Sequence, residues 1–388
     1  MSWPSTPAPD ADGTSASRRV LVLSDIPVNP QESFSQVCVW QRLRQLLRGG
    51  HRVSYAALLS PPGAAHAREV IALAQHEGLD LPATVPLAAL RAGAYDVLYL
   101  THLWRTPTLT LGARLAASLR APDRRPAVVY DSHDCLFKGV APFMSPADAA
   151  TLIAAERDLR ALADCSVLIS ETERQDAIAR FGLTAARTHV LSPVAELQTS
   201  ALAIPHSERR DLCFVGFPHA SNLEALGYFL SDVFPRLLQR RPSLRLRLMG
   251  SGLQRLRLQL PESVTQQVDV RGYVPALAEA VGQCRLQVAP IRQGAGIKGK
   301  VLESMACGTP VVGTAKAFEG MPVQDGVQAL QAETPEQFCD QILRAYDGEA
   351  LWTSLQRAGA ELVQSRYAVS VLASELDALM RAVGRHRS

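Results

Sequence analysis

The chain has 388 residues, 47% of them hydrophobic and 20% charged, with a formal net charge of +3 at pH 7. That length outgrows a single core, so two domains are expected, and the composition excludes a disordered chain. So small a net charge gives no general affinity for nucleic acid. The basic cluster Arg236, Arg240, Arg241, Arg245 and Arg247 reads as a solvated helix-and-turn face.

Residues 1–18 are rich in Pro, Ser, Thr, Ala and Asp and lack the basic start and apolar stretch of a signal peptide, so they read as an unstructured extension. From residue 19, short apolar runs alternate with amphipathic stretches. Residues 19–24 read as a buried strand and 37–47 as a helix closed by Gly49-Gly50; 52–58, 97–100 and 127–130 read as further strands. Helices are expected over 147–163 and 171–181, flanking a strand at 166–170. The polar, irregular stretch 195–209 reads as a linker. The alternation then restarts, with strands at 211–215, 244–249, 268–271, 286–289 and 311–313 and a helix over 223–238.

Two successive strand–helix series predict an α/β fold of two doubly wound parallel sheets, each covered by helices on both faces. Ligands bind such sheets beyond the carboxyl ends of the strands, which puts the active site in the cleft between the domains. The seven cysteines are scattered without a C-x-x-C pair, several inside apolar runs such as Leu212-Cys213-Phe214-Val215. They read as reduced thiols used as small hydrophobes, which points to the cytoplasm. No run reaches the roughly 18 apolar residues of a membrane span, so any membrane contact is expected to be peripheral, at the inner face.

Segment 289–312 carries the clearest chemistry. A strand ends, a loop with Gly294, Gly296, Lys298 and Gly299 follows, and a short helix starts near Lys300. Glycine lets backbone N–H groups approach a phosphate, the helix N-terminus supplies partial positive charge, and lysine adds a full one. Glu303, one turn into the helix, only accepts hydrogen bonds, which suits a diol such as a ribose. The bland alternative is a glycine-rich surface loop with solvated lysines, and no G-K-[ST] ends it as in a P-loop. A second segment, Val128-Val129-Tyr130-Asp131-Ser132-His133-Asp134, delivers carboxylates and a histidine to a strand end; a hydrogen-bonded core histidine is the alternative there. No further ligand cluster accompanies it, so no metal is expected. Ser33-Phe34-Ser35 offers hydroxyls that either bond phosphate or cap the following helix. Glu156-Arg157 and Ser170-Glu171 read as structural pairings at helix ends.

Segment 289–312 resembles the donor-binding signature of glycosyltransferase family 4, retaining enzymes of the GT-B architecture with two Rossmann-like domains facing a cleft. Phe214-Val215-Gly216, Asn222, Pro235, Leu237, Leu248-Met249-Gly250, Arg271-Gly272-Tyr273-Val274 and Phe318-Glu319-Gly320 fall where that family has similar residues. The resemblance covers 205–365, and more weakly 19–195. It implies a first, acceptor-side domain over 19–200, a nucleotide-sugar domain over 201–365, and a helix over 366–388 that crosses back onto the first domain. It also implies a donor site of Gly216, Gly250, Tyr273, Val274, Arg292, Gly294, Ala295, Gly296, Lys298, Lys300, Val301 and Glu303, with Glu303 on the ribose. His133, Asp134 and Lys300 become the candidate catalytic residues, and Ser24, Ser33 and His102 the acceptor side.

Two departures stand out. Ala295 occupies the place of a second family glutamate, and serines replace the paired glycines after the first strand. The implied function is retaining transfer from a nucleotide-diphosphate sugar, a co-substrate rather than a cofactor, to a saccharide, lipid-linked or small-molecule acceptor. The rivals are a non-catalytic nucleotide-sugar-binding subunit, motivated by Ala295, and a GT-B sugar-nucleotide epimerase.

Overall fold

The computed structural model describes residues 17–29, 34–59, 65–81, 93–119, 125–255 and 261–385. Most of the expected extension, and Ser33, lie outside them. Among the described residues, two six-stranded sheets form, and every strand pairing is parallel.

The first sheet contains β1 (Arg19–Ser24), β2 (Arg52–Ala57), β3 (Val97–Thr101), β4 (Ala127–Asp131), β5 (Cys165–Leu168) and β6 (Thr188–Val190), in the order β2-β1-β3-β4-β5-β6. The second contains β7 (Arg210–Val215), β8 (Leu246–Met249), β9 (Val268–Gly272), β10 (Cys284–Ala289), β11 (Val311–Gly313) and β12 (Leu330–Gln331), in the order β12-β11-β10-β7-β8-β9. Helices cover both faces, so β3, β4 and β10 are buried along their whole length. The strand order of the second sheet reverses between β7 and β10, where the loops leaving the two strands diverge and open a crevice.

Several elements differ from the sequence reading for physical reasons. The strand expected over 166–170 ends at Leu168, because Ser170 leaves the sheet to cap the helix Glu171–Phe181, accepting from the Glu173 amide at 3.2 Å. The helix expected over 223–238 begins at Ala220 and widens into a π turn at Phe229–Val233 before Phe234–Arg240. Pro235 has no amide to continue the i→i−4 ladder, and the π turn absorbs that break.

The stretch expected as a linker is pinned to the second domain. It contains a helical turn at Thr199–Leu202 and ends in Arg209, which is fully buried. The Arg209 guanidinium donates to the carbonyls of Ile204, Ala201 and Cys307 and to Thr309 Oγ1 at 2.6–3.3 Å. The helix Val369–Arg385 crosses back: its Leu372, Leu376, Leu379 and Met380 join Val20, Val22 and Trp40 in the core of the first domain. Glu375 fixes it there by accepting from the Ser192 amide and hydroxyl at 2.7 and 2.9 Å. All seven cysteines are buried and unpaired.

Candidate active site

A cavity of about 330 Å³ opens between the sheets, and residues of both domains line it. On the second-domain side it sits at the carboxyl ends of β7 and β10. Gly216 follows β7, and Gly250 follows β8 with φ +141°, a conformation open to glycine. A Cβ on Gly250 would fall 1.7 Å from the Gly216 carbonyl oxygen, so the two strand ends touch backbone to backbone. Tyr273 and Val274, after β9, continue this wall, and Tyr273 is exposed.

The helix Gly299–Ala306 starts at the cavity, and its N-cap, Lys298, makes no side-chain cap. The Lys298 ammonium donates instead to the carbonyls of Ala295 and Gly296 at 2.9 and 2.6 Å. The Lys300 ammonium donates to Asn222 Oδ1 and lies 4.9 Å from the centre of the Phe214 ring. Burial and the neighbouring Lys298 charge bring the Lys300 pKa down to about 7, against the pull of Glu303. Burial raises Glu303 to about 7 in turn. Two cationic groups, a helix N-terminus and a carboxylate one turn on therefore share one cavity with no ion-pair partner for either lysine among the described residues.

The first-domain wall is the turn after β4. His133 adopts φ +57° and is 2% exposed. Its Nε2 lies 3.1 Å from Thr101 Oγ1 and 3.6 Å from Asp131 Oδ2, while Nδ1 has no partner among the described residues. Asp131 is a fixed anion beneath it, accepting from the Tyr99 hydroxyl at 2.7 Å and from Arg42 Nε at 3.4 Å. Burial opposes its charge, but His133, Arg42 and Tyr99 outweigh that and hold its carboxyl well below the usual range. His133 thus joins a left-handed backbone to an unpartnered ring nitrogen at the cavity wall.

The domains meet at the loop before Lys298. Glu173 is 1% exposed and accepts two backbone amides: Cys135 in its own domain at 3.0 Å and Gly296 across the cleft at 2.8 Å. Burial and the Asp134 charge push its carboxyl up to about 8. Lys138 bridges Asp176 and, across the junction, Glu319, at 2.5 and 2.8 Å. The Phe34 ring lies where a Cβ on Gly299 would be, 2.1 Å from that position, so only glycine fits beneath it.

The fold brings together at one cavity His133, Asp134, Gly216, Gly250, Tyr273, Val274, Ala295, Lys298, Lys300 and Glu303. Other candidates are placed elsewhere. Val301 points into the second-domain core and is fully buried, because position 301 falls on the sheet-facing side of its helix. Arg292 turns outward to pair with Glu224 and stack 4.3 Å over Tyr228. Gly294 borders open space, and Gly296 stands behind the wall with its amide on Glu173. Ser24 is consumed by the turn after β1, bonding the Ile26 carbonyl and the Tyr55 hydroxyl at 2.7 Å each. His102 does not line the cavity but lies just behind it, buried against Trp104 with its ring 5.9 Å from that of His133, and desolvation lowers its pKa to about 3.

Three residues at the site escaped the candidate set: Phe34, Asn222 and Glu173. Glu173 did leave a signal, since Ser170-x-x-Glu173 has the capping-box spacing. Its side chain leaves that box and crosses to the other domain.

Among the described residues, no three His, Cys, Asp or Glu side chains cluster as metal ligands, and no helix is long and apolar enough to cross a membrane. Residues 209–348 match the family described as glycosyl transferases group 1, and that stretch is a domain of this kind. No curated protein matches the chain. Among solved structures, HepE from Anabaena in complex with UDP-glucose is 15% identical with a TM-score of 0.70, over 94% of this chain and 100% of that one. A glycosyltransferase from Rickettsia africae is 9% identical with a TM-score of 0.67, over 96% and 100%. Sucrose-phosphate synthase from Thermosynechococcus elongatus is 17% identical with a TM-score of 0.66, over 95% and 100%. At these identities the likeness establishes the fold, which is GT-B.

Proposed function

We propose that this chain, a glycosyltransferase by its group 1 domain and its GT-B fold, moves a glycosyl unit from a nucleotide-diphosphate sugar to an acceptor hydroxyl with retention at the anomeric carbon. The observation that carries this reading is the shared cavity, where Lys298, Lys300 and the helix N-terminus face the turn bearing His133 and Asp134. The diphosphate lies against the lysines and amides, the ribose hydroxyls reach Glu303, and the transferred sugar lies toward His133.

In the reaction the bond from the anomeric carbon to the diphosphate oxygen breaks, and the acceptor oxygen bonds to that carbon on the same face. The acceptor proton passes to the departing oxygen, so no dedicated protein base is required. Negative charge builds on the diphosphate as it leaves, and the two ammonium groups and the amides stabilise it there more than in the ground state. This is electrostatic work done by the chain's own cations, and turnover is expected to proceed without an added metal. His133, with its free Nδ1, faces the developing positive charge on the sugar.

Because HepE was solved with UDP and UDP-glucose, uridine diphosphate sugars are the first donors to test. Proton NMR of the purified chain with UDP-glucose, UDP-galactose, UDP-N-acetylglucosamine and GDP-mannose, each offered with simple glycoside acceptors, reads nucleoside diphosphate release and product configuration. An axial product from an axial donor is expected. An equatorial product would overturn retention, and an intact donor in every case would overturn the transfer reading for these donors.

A further inference from the structure

Asp134 is the polar side chain of this cavity whose purpose the fold does not explain. It is half-buried and lines the cavity beside His133; the Lys298 charge acts on its carboxylate without a hydrogen bond or close ion pair between them among the described residues. Its position is nonetheless tightly defined. A Cβ on Gly296 would fall 1.9 Å from Asp134 Oδ1, so the carboxylate is pressed against the opposite wall at a point where only glycine leaves room. Glu173 clamps both sides of that contact, accepting the amide of Cys135, the residue after Asp134, and the amide of Gly296, the residue facing it.

On the second-domain side Ala295 lines the cavity here, with Gly296 behind it, and neither offers a polar side chain. The same cavity is lined by Glu303, by Lys298 and Lys300, and by Asp134 beside the buried His133 with its unpartnered Nδ1. The half-buried Asp134 carboxylate only accepts hydrogen bonds and is free of any hydrogen bond among the described residues, so ligand hydroxyl groups can donate to it.

We propose that Asp134 is the carboxylate that grips the hydroxyl groups of the transferred sugar from across the cleft, and that Glu173 is the positioning residue that holds it there. This rests on the donor-site reading above. It makes Asp134 the determinant of which sugar is accepted, since an acceptor-only group of fixed position selects donors by where their hydroxyls point.

The test is calorimetric titration of wild type, Asp134→Asn, Glu173→Gln and Glu173→Asp with UDP and UDP-glucose, and with GDP and GDP-mannose. The readout is the affinity of each nucleotide sugar relative to its own diphosphate. In wild type, one pair shows tighter binding of the nucleotide sugar. Asp134→Asn, which keeps the shape of the side chain, reduces that ratio about tenfold or more. Glu173→Gln, which cannot accept two amides with one oxygen and a donor nitrogen, reduces it too, and Glu173→Asp restores part of it. Thermal melting of each variant separates loss of fold from loss of the ratio. An unchanged ratio in Asp134→Asn, or a wild type that binds the nucleotide sugars no better than the diphosphates, overturns the role of Asp134. A ratio lost in Asp134→Asn but kept in Glu173→Gln overturns the role of Glu173. A wild type that binds neither diphosphate overturns the donor-site reading itself.

Discussion

Replacing Lys300 with methionine removes one ammonium and keeps the apolar stem against Phe214. In the free protein this ammonium has one neutral hydrogen-bond partner, Asn222, and its pKa is brought down to about 7 by burial and by Lys298. Part of the Lys300 population is therefore neutral near neutral pH. A bound diphosphate supplies the missing negative charge, raises that pKa and makes binding take up a proton. The sign follows: affinity is full below the free pKa and falls as pH rises above it, by about tenfold per pH unit. A hydrogen bond to a charged group contributes about 1.5–3 kcal/mol, so Lys300→Met should weaken UDP binding about tenfold to a hundredfold where Lys300 is charged.

The assay is calorimetric titration with UDP between pH 7 and 9, above the second phosphate pKa of about 6, in buffers of different ionisation enthalpy. Wild type should lose affinity steadily over that range and take up a proton, and Lys300→Met should show a flatter profile. The two should converge at pH 9, and uridine, which has no phosphate, should bind both alike. Glu303, raised to about 7, also titrates here, so Glu303→Gln is the control. It removes a charge that supports the Lys300 ammonium and should move the fall to lower pH without abolishing it. Parallel pH profiles for wild type and Lys300→Met, or equal UDP affinity at pH 7, would refute the reasoning.

Glu303→Ala should weaken uridine, UDP and UDP-glucose alike, by about tenfold or more, because the ribose is common to all three; titration with the three ligands checks it, and a loss confined to the phosphorylated pair would contradict it. Gly250→Ala must escape both φ +141° and a 1.7 Å approach to the Gly216 oxygen, so it should destabilise by about 3 kcal/mol or more in urea unfolding. Arg209→Met leaves buried carbonyls of Ala201, Ile204 and Cys307 without their donor; at about 1–3 kcal/mol each, the loss should reach at least about 3 kcal/mol, and a change under about 1 would show the anchor is slack. Donor turnover should survive EDTA, and activity lost on chelation and restored by magnesium or manganese would disprove the assignment of the diphosphate charge to Lys298 and Lys300.

Much of the architecture was legible in the amino-acid sequence, because strands buried on both faces, such as β3 and β4, are largely apolar and stand out as short runs. Elements that lean on neighbours were harder to read. The edge strands β6 and β12 are three and two residues long and too short to carry a pattern. The helices at 335–347 and 349–366 carry ordinary amphipathic sequence that composition alone did not single out. The stretch 195–209 read as a free linker because it is polar, yet its last residue, Arg209, is anchored by the Thr309 hydroxyl and the Cys307 carbonyl, which belong to a distant part of the chain.

The lysines and Glu303 were visible for a local reason: one loop and one helix turn place them together, so their spacing in the chain is their spacing in space. The sequence by itself determined two parallel sheets, the glycine-lysine loop at a strand end, and a histidine and a carboxylate at the end of β4. Only the tertiary structure decided which of the candidates meet. It turned Arg292 outward, sank Val301 and His102 into the interior, and spent Ser24 on its own turn. It also carried Glu173 out of a local capping box to the Gly296 amide, 123 positions along the chain. A periodicity reports which face of an element is apolar, and a loop reports its own neighbours. Which two loops from different sheets press together depends on how the domains dock, and no local pattern in the chain encodes that.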